Sequence, residues 1–365
     1  MLKLRDEFTY IENYTITGKK LLVGIREQNS YIMIKKSYHD IFYTLLERLN
    51  SNNDLSELNL CPKEKELVDA FNRKGYFKNN EEIKKSFNEY NSLVKIIKRI
   101  DIGKIKIKSL SCKTSFYILY FLAWLIGIIF IINNRHYLNQ TINFSDFTIT
   151  EILVCLIILP ILIDFSHEFG HFILAKLLGV NVGNLTIGFF VTWPTIYIQY
   201  KGLNLYHTKD KLCITSAGVF VHIINVILGL IIQQLGFHNN IVLIWIIANI
   251  GMVSTNLLFF GPSDGYFMLT SILGIYNLRY RGYITINHIL KGNKDKININ
   301  YLCALIVMGC WLFSFWGIYI TLNYYGRIFS INRYIVFTVS LILIIFLFVR
   351  LIRNIKNIDA YRYEQ

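Results

Sequence analysis

Beyond residue 112 the chain is organised as long apolar runs separated by short polar stretches, at about 115–133, 152–179, 213–235, 241–274, 301–323 and 334–352. Each is long enough for a helix to cross a bilayer. Ahead of them the pattern changes. The segments KKLLVGI and YIMIKK read as strands flanking the turn-prone REQNS. SYHDIFYTLLERLN (37–50) has helical apolar spacing at Ile41, Leu45, Leu46 and Leu49, with Ser37 placed to cap its start. DLSELNL and KEKELVDAFNRKGYF read as short helices, the second closing at Gly75, and DIGKIKIKSL (101–110) alternates and leads into the first apolar run. The expected architecture is an α-helical polytopic membrane protein of about six spans. It carries a small α+β domain over 1–95, a β-rich linker over 96–112 and a membrane domain over 113–365.

One apolar stretch does not fit a spanning helix. LTIGFFVTWPTIYIQY (185–200) is rich in β-branched and aromatic residues and is interrupted by Pro194. It reads as a re-entrant or interfacial β-hairpin, which lipid tolerates only where protein covers its backbone. Two roles stand open for it: an edge strand offered to an extended peptide, or an interfacial loop that only packs.

Composition and charge fit the membrane reading. Of the 365 residues 53% are hydrophobic, and the mean hydropathy is +0.40. The net charge of +14 comes without an aromatic-basic recognition motif, so no nucleic acid is expected as partner. The positive charge instead marks cytoplasmic loops. Lys201, Lys209 and Lys211 fall in 180–212; Arg279, Arg281, Lys291, Lys294 and Lys296 in 275–300; and Arg353, Lys356 and Arg362 in the tail from 353. The opposite loops carry only Arg135, Arg327 and Arg333. Both termini are therefore expected in the cytoplasm, with the chain held in the cell membrane. The opening MLKLRDEFTY is charged and does not read as a cleavable signal peptide. The six cysteines show no CxxC pairing, and a disulfide framework is not expected.

Against this background the acidic residues are informative. Nine lie beyond residue 113, and only Asp164, Glu168 and Asp264 fall inside the apolar runs. A charged residue at the centre of a spanning helix costs about 2.5–3.5 kcal/mol on insertion scales, so such positions tend to be functional. Two of the three belong to DFSHEFGHFILAKLL (164–178). His167 and His171 lie four apart on one helix face and can share a metal ion, and Glu168 beside them is placed as general base. The third acid lies in TNLLFFGPSDGYFM (255–268), where Gly261-Pro262 should break or kink the helix and turn Asp264 toward a neighbouring span as third ligand. Counted at 1.5 Å per residue, His167 lies about 22 Å along its run and Asp264 about 35 Å along its own, a gap that tilt, a later membrane entry or such a break can close.

HEFGH in one span and NLLFFGPSDG in a later one resemble the site-2 protease family of intramembrane zinc metalloproteases. The resemblance covers 152–275 and includes the small-residue segment SAGVFVHIINVILG (216–229). It implies Zn2+ as cofactor, His167, His171 and Asp264 as its ligands and Glu168 as catalytic base. There are departures: Asn256 and Pro262 are spaced more widely than in the family's motif, no Pro follows Gly218, and His222 stands where Asn is common. A substrate-orienting role for His222 or Asn225 stands beside a packing role. The N-terminal segment 10–80 is similar to a PqqD-like winged-helix domain, which implies a leader peptide as partner and a place in peptide maturation.

The reading that follows is a zinc metalloendopeptidase of the lipid bilayer, acting on a peptide precursor or membrane-associated substrate in the maturation or export of a ribosomally made peptide. Regulated proteolysis of a signalling protein, a non-catalytic peptide-binding or immunity protein, and a transporter using its acids as a proton relay stand as alternatives. Asp164 is expected either to bond a ligand imidazole or to satisfy itself at a helix contact. His39, His136, His207, His238 and His288 carry no expected role.

Overall fold

The computed structural model describes residues 3–51, 60–86, 94–110, 112–138, 147–190, 193–237, 239–257, 263–292, 299–328 and 332–356. The N-terminal part is an antiparallel sheet of three strands in chain order, β1 (Phe8–Thr15), β2 (Gly18–Ile25) and β3 (Ser30–Ile34), with helices α1 (His39–Asn50) and α2 (Pro62–Lys74) packed on it. β2 explains why its sequence is a continuous apolar run and not an alternating one. Leu21, Val23 and Ile25 point to α1 and α2, joining Phe42, Leu45 and Phe71 in the core, whereas Leu22 points the other way and packs with Ile11 and Leu205. α2 starts on Pro62, with Glu64 accepting the Cys61 N–H at 2.8 Å, and closes at Gly75 as expected.

Two expectations for this region are corrected. β1 was not foreseen, because FTYIENYT carries polar residues on both faces of the strand; one of them, Asn13, is 1% exposed and bonded to the membrane part. Ser37 does not cap α1. It lies in a 3-10 turn, Lys36–Tyr38, and Tyr38 takes the capping position without a side-chain bond. The short helix expected at DLSELNL lies almost wholly outside the described residues.

Among the described residues five helices are long and apolar enough to cross a membrane: α3 (Lys113–Asn133), α4 (Ile149–Leu177), α5 (Thr208–Gln234), α6 (Asn240–Leu257) and, within α10 (Arg333–Lys356), Arg333–Arg353. A sixth is not established. The expected passage 301–323 lies on α9 (Ile299–Ile328), whose apolar portion among the described residues is the shorter Ile299–Phe313. The expected run 241–274 is two helices, since α6 is described to Leu257 and α7 (Asp264–Leu273) starts afresh from an extended Ser263; residues 258–262, with Gly261-Pro262, lie outside the described residues. The loop expected over 275–300 instead contains α8 (Leu278–Leu290), which packs on α9 and α10 and buries Arg279.

The helices are not equivalent. In α5, 61% of the most apolar stretch is buried, against 11–17% in the other four spanning candidates. α5 contacts α3, α4, α6 and α7, so it is the post around which the rest stand. α4 contains a π-helical turn, Val154–Ile158, just ahead of Pro160, which has no N–H to give to the preceding turn.

The expected hairpin is present as β5 (Val182–Phe190) and β6 (Trp193–Tyr200). It is extended by β4 (Val94–Asp101), which lies where the β-rich linker was expected and gives a sheet of order β4-β5-β6. The alternating residues after Asp101 form no further strand.

The N-terminal sheet is docked onto this assembly by specific bonds. Asn13 donates to the Tyr206 carbonyl at 3.2 Å and accepts from the Thr208 N–H at 2.9 Å. Ile16 N–H donates to the Ile272 carbonyl at 3.1 Å, and Lys201 and Asn181 both donate to Glu27. The Arg26 guanidinium lies 4.3 Å from the centre of the Tyr206 ring. Gly202 makes this approach possible: its φ is +62°, and a Cβ there would meet Arg26 Cα at 2.5 Å. Gly202→Val is expected to add about 1–3 kcal/mol of backbone strain before the clash is counted. It should loosen the docking without unfolding either part, which faster tryptic cleavage after Arg26, with the membrane fragment otherwise intact, would report.

Candidate metal centre

α4 carries His167, Glu168 and His171, and α7 begins with Asp264. The structure brings all four to one cavity of about 430 Å³, which Asp164 and β6 also line. His171 Nε2 lies 3.2 Å from Asp264 Oδ1, His167 Nε2 3.5 Å from Asp264 Oδ2, and the two Nε2 atoms 3.1 Å from each other. All three side chains are buried. The extended backbone at Ser263 is what permits this, because Asp264 sits at the start of a new helix and not at the end of a long straight one.

The far side of each imidazole fixes which nitrogen faces the cluster. His171 Nδ1 donates to the Ile214 carbonyl at 2.6 Å, which can only accept. His167 Nδ1 lies 2.9 Å from His222 Nε2, and His222 Nδ1 lies 2.9 Å from Asn249 Oδ1. Asn249 Oδ1 also accepts from Asn225 Nδ2 at 3.2 Å, and Asn249 Nδ2 donates to the Trp245 carbonyl at 2.8 Å. Read back from that anchored amide, His222 Nδ1–H donates to Asn249 and His167 Nδ1–H donates to His222. With both rings neutral, each imidazole therefore turns an Nε2 lone pair inward, toward a carboxylate of which Oδ2 has no hydrogen-bond partner among the described residues.

In that neutral form three electron-pair donors converge without a proton among them, an arrangement that a bound cation would relieve. His167, His171 and Asp264 are a buried group able to hold a metal ion. Gly218 keeps the space open, since a Cβ there would lie 2.2 Å from His167 Cε1. This is the physical content of the small-residue segment read from 216–229.

Glu168 lies to the side. Its Oε1 is 4.0 Å from His167 Nε2, and its Oε2 accepts the Ile198 N–H at 2.9 Å. That bond ties the carboxylate to β6. Burial, with Glu168 and Asp264 nearby, pushes the Tyr200 phenol well up, so the adjoining wall offers a neutral hydroxyl.

Asp164 lines the cavity but bonds neither imidazole, since both Nδ1 atoms already have partners. His222 and Asn225 form part of the scaffold behind His167. Asn249, Ile198 and the Ile214 carbonyl were missed from the sequence. Asn249 alone left a signal, as a polar residue in an apolar run; the other two act through backbone atoms and leave none.

No protein-family model, curated protein or solved structure matches the chain.

Loss of an orienting partner behind a metal-ligating His typically costs about 10–100-fold in metal affinity. His222→Leu should weaken binding of a divalent ion by that factor, and Asp264→Ala by more. Competition against a chromophoric chelator in detergent-solubilised protein would measure both.

Proposed function

We propose that the chain is an intramembrane zinc metalloendopeptidase of the site-2 protease kind, which hydrolyses a peptide bond of a ribosomally made peptide precursor during its maturation or export. The observation that carries this reading is the convergence of His167, His171 and Asp264 from two helices, with Glu168 on the same cavity. Ligands about 2.0–2.2 Å from a tetrahedral zinc ion stand roughly 3.3–3.6 Å apart. The separations of 3.1, 3.2 and 3.5 Å, the last two to different oxygens of the Asp264 carboxylate, lie just below and within that range, so small outward shifts of the side chains would admit the ion. Zinc bound there would act as a Lewis acid on the scissile carbonyl and make water acidic enough to attack near neutral pH.

The remaining chemistry belongs to the chain. Glu168 takes the proton from the attacking water and returns it to the leaving amine, while its bond to Ile198 N–H fixes the carboxylate's position. β6 is the edge of its sheet among the described strands. Since Ile198 N–H points away from β5, the N–H and C=O of Ile196 face outward along the same edge. An extended substrate segment paired there would run past Glu168, whereas a helical one keeps its carbonyls in internal bonds. The N-terminal domain is assigned the capture of a leader peptide, and the loop charges favour both termini in the cytoplasm.

The decisive variant is Glu168→Gln. It is expected to keep stoichiometric zinc and lower turnover of a cleavable peptide by at least about 10²–10⁴-fold, with chelation of the wild-type protein abolishing turnover and added zinc restoring it. Wild-type turnover in the Gln variant would remove Glu168 from the mechanism.

A further inference from the structure

The cavity has a second pole, away from the metal ligands. Lys211, in the first turn of α5, is 3% exposed, yet its side chain lines the cavity. Its neighbour Asp210 is engaged elsewhere, with Lys113 of α3 at 2.5 Å. The Lys211 ammonium donates to the Tyr276 hydroxyl at 3.2 Å and lies 5.1 Å from the centre of that ring, and among the described residues it has no carboxylate partner. A buried ammonium bonded to a neutral phenol, with Asp210 attracting it only from beyond ion-pair distance, is poorly compensated. Tyr276 accepts the lysine's bond and also meets the Asn13 side chain; burial holds this phenol above its ordinary value, so it keeps a proton that a ligand in the cavity can accept as a hydrogen bond. Two donors thus face the cavity together, backed by Tyr31 of the N-terminal sheet, whose ring centre lies 6.0 Å from that of Tyr276.

The spacing relates this pole to the metal centre. Gly218, against which the His167 ring rests, is seven residues beyond Lys211 on α5, so the two share a helix face about 10 Å apart along the axis. An extended peptide covers that distance in about three residues. The metal end of the cavity gathers the acids Asp164, Glu168 and Asp264, and the Lys211 end gathers none of them.

We propose that Lys211 and Tyr276 form a carboxylate-binding subsite, which receives an acidic group of a peptide about three residues from the bond at the metal centre. This takes from the proposed function only that a peptide enters the cavity. The carboxylate is either the peptide's C-terminus or an Asp or Glu side chain, and the same two donors serve both.

The test is binding, not cleavage, on full-length protein treated with EDTA so that no metal competes for the carboxylate. Three fluorescein-labelled peptides are compared by anisotropy: Val-Ala-Val-Ala-Val with a free C-terminus, the same peptide as its C-terminal amide, and that amide with Glu as its last residue. At least one acidic form is expected to bind about tenfold or more tighter than the neutral amide, and which one does so identifies the source. Lys211→Met should bring that form to the affinity of the amide, Lys211→Arg should keep part of the preference, and Tyr276→Phe, which retains the ring, should reduce it. Equal binding of all three peptides by the wild type, no binding of any, or a preference that survives in both Lys211→Met and Tyr276→Phe overturns the subsite. Acid preference in a protein that cleaves no peptide would leave the subsite standing and remove the protease reading instead.

Discussion

The structure depends on one electrostatic constraint: His167, His171 and Asp264 aim unshared electron pairs at a common point inside an apolar helix assembly. A buried polar group left without a partner costs about 1–3 kcal/mol, and a charged one more. Three of them together are tolerated only if every outward atom is bonded and the inward ones share a cation, a metal ion or a proton. The outward bonds are those made by the Ile214 carbonyl and by the His222–Asn249–Asn225 chain. Remove them and the imidazoles are free to rotate, and the convergence is lost.

That requirement accounts for the unequal burial of the helices. α5 supplies Ile214, Gly218, His222 and Asn225 to the site at intervals of three or four residues, so one complete face is committed to it. A helix with such a face cannot present it to lipid, and α5 is accordingly the most enclosed spanning candidate. α3 and α6 flank it, leaving much of their own apolar surface outward. The small residues follow from the same demand, since at Gly218 the His167 ring occupies the place of a side chain.

What could be read in the sequence was whatever violates a local rule. Ionisable residues in apolar runs stand out at once, so His167, Glu168, His171 and Asp264 were legible together although α4 and α7 are far apart in the chain. The hairpin was legible because Pro194 and β-branched residues interrupt an apolar stretch. Groups that obey their local pattern were not. The N–H of Ile198 and the carbonyl of Ile214 are ordinary backbone atoms whose task arises only when β6 and α5 meet α4. The charged residues of α8 mark it as polar and loop-like, yet it buries Arg279 against the Tyr266 ring. β1 was hidden by Asn13, a residue unfavourable in strands, which is kept there by two bonds to a partner nearly two hundred positions away.

The bond between Glu168 and Ile198 links the two halves of this argument. α4 places the carboxylate beside the ligands, but a glutamate has three rotatable bonds and helix geometry alone does not fix its head. The N–H that does so comes from the strand edge on which an extended chain would pair. A chain pairing with that edge is thereby registered against the same backbone that positions the carboxylate, so alignment of a bound segment and alignment of the acid are one geometric event. The N-terminal sheet contributes to this by holding the segment 201–208 through Asn13, Arg26 and Glu27, which fixes the far end of β6. The N-terminal sheet so placed bears, through β6, on the position of a carboxylate it never touches.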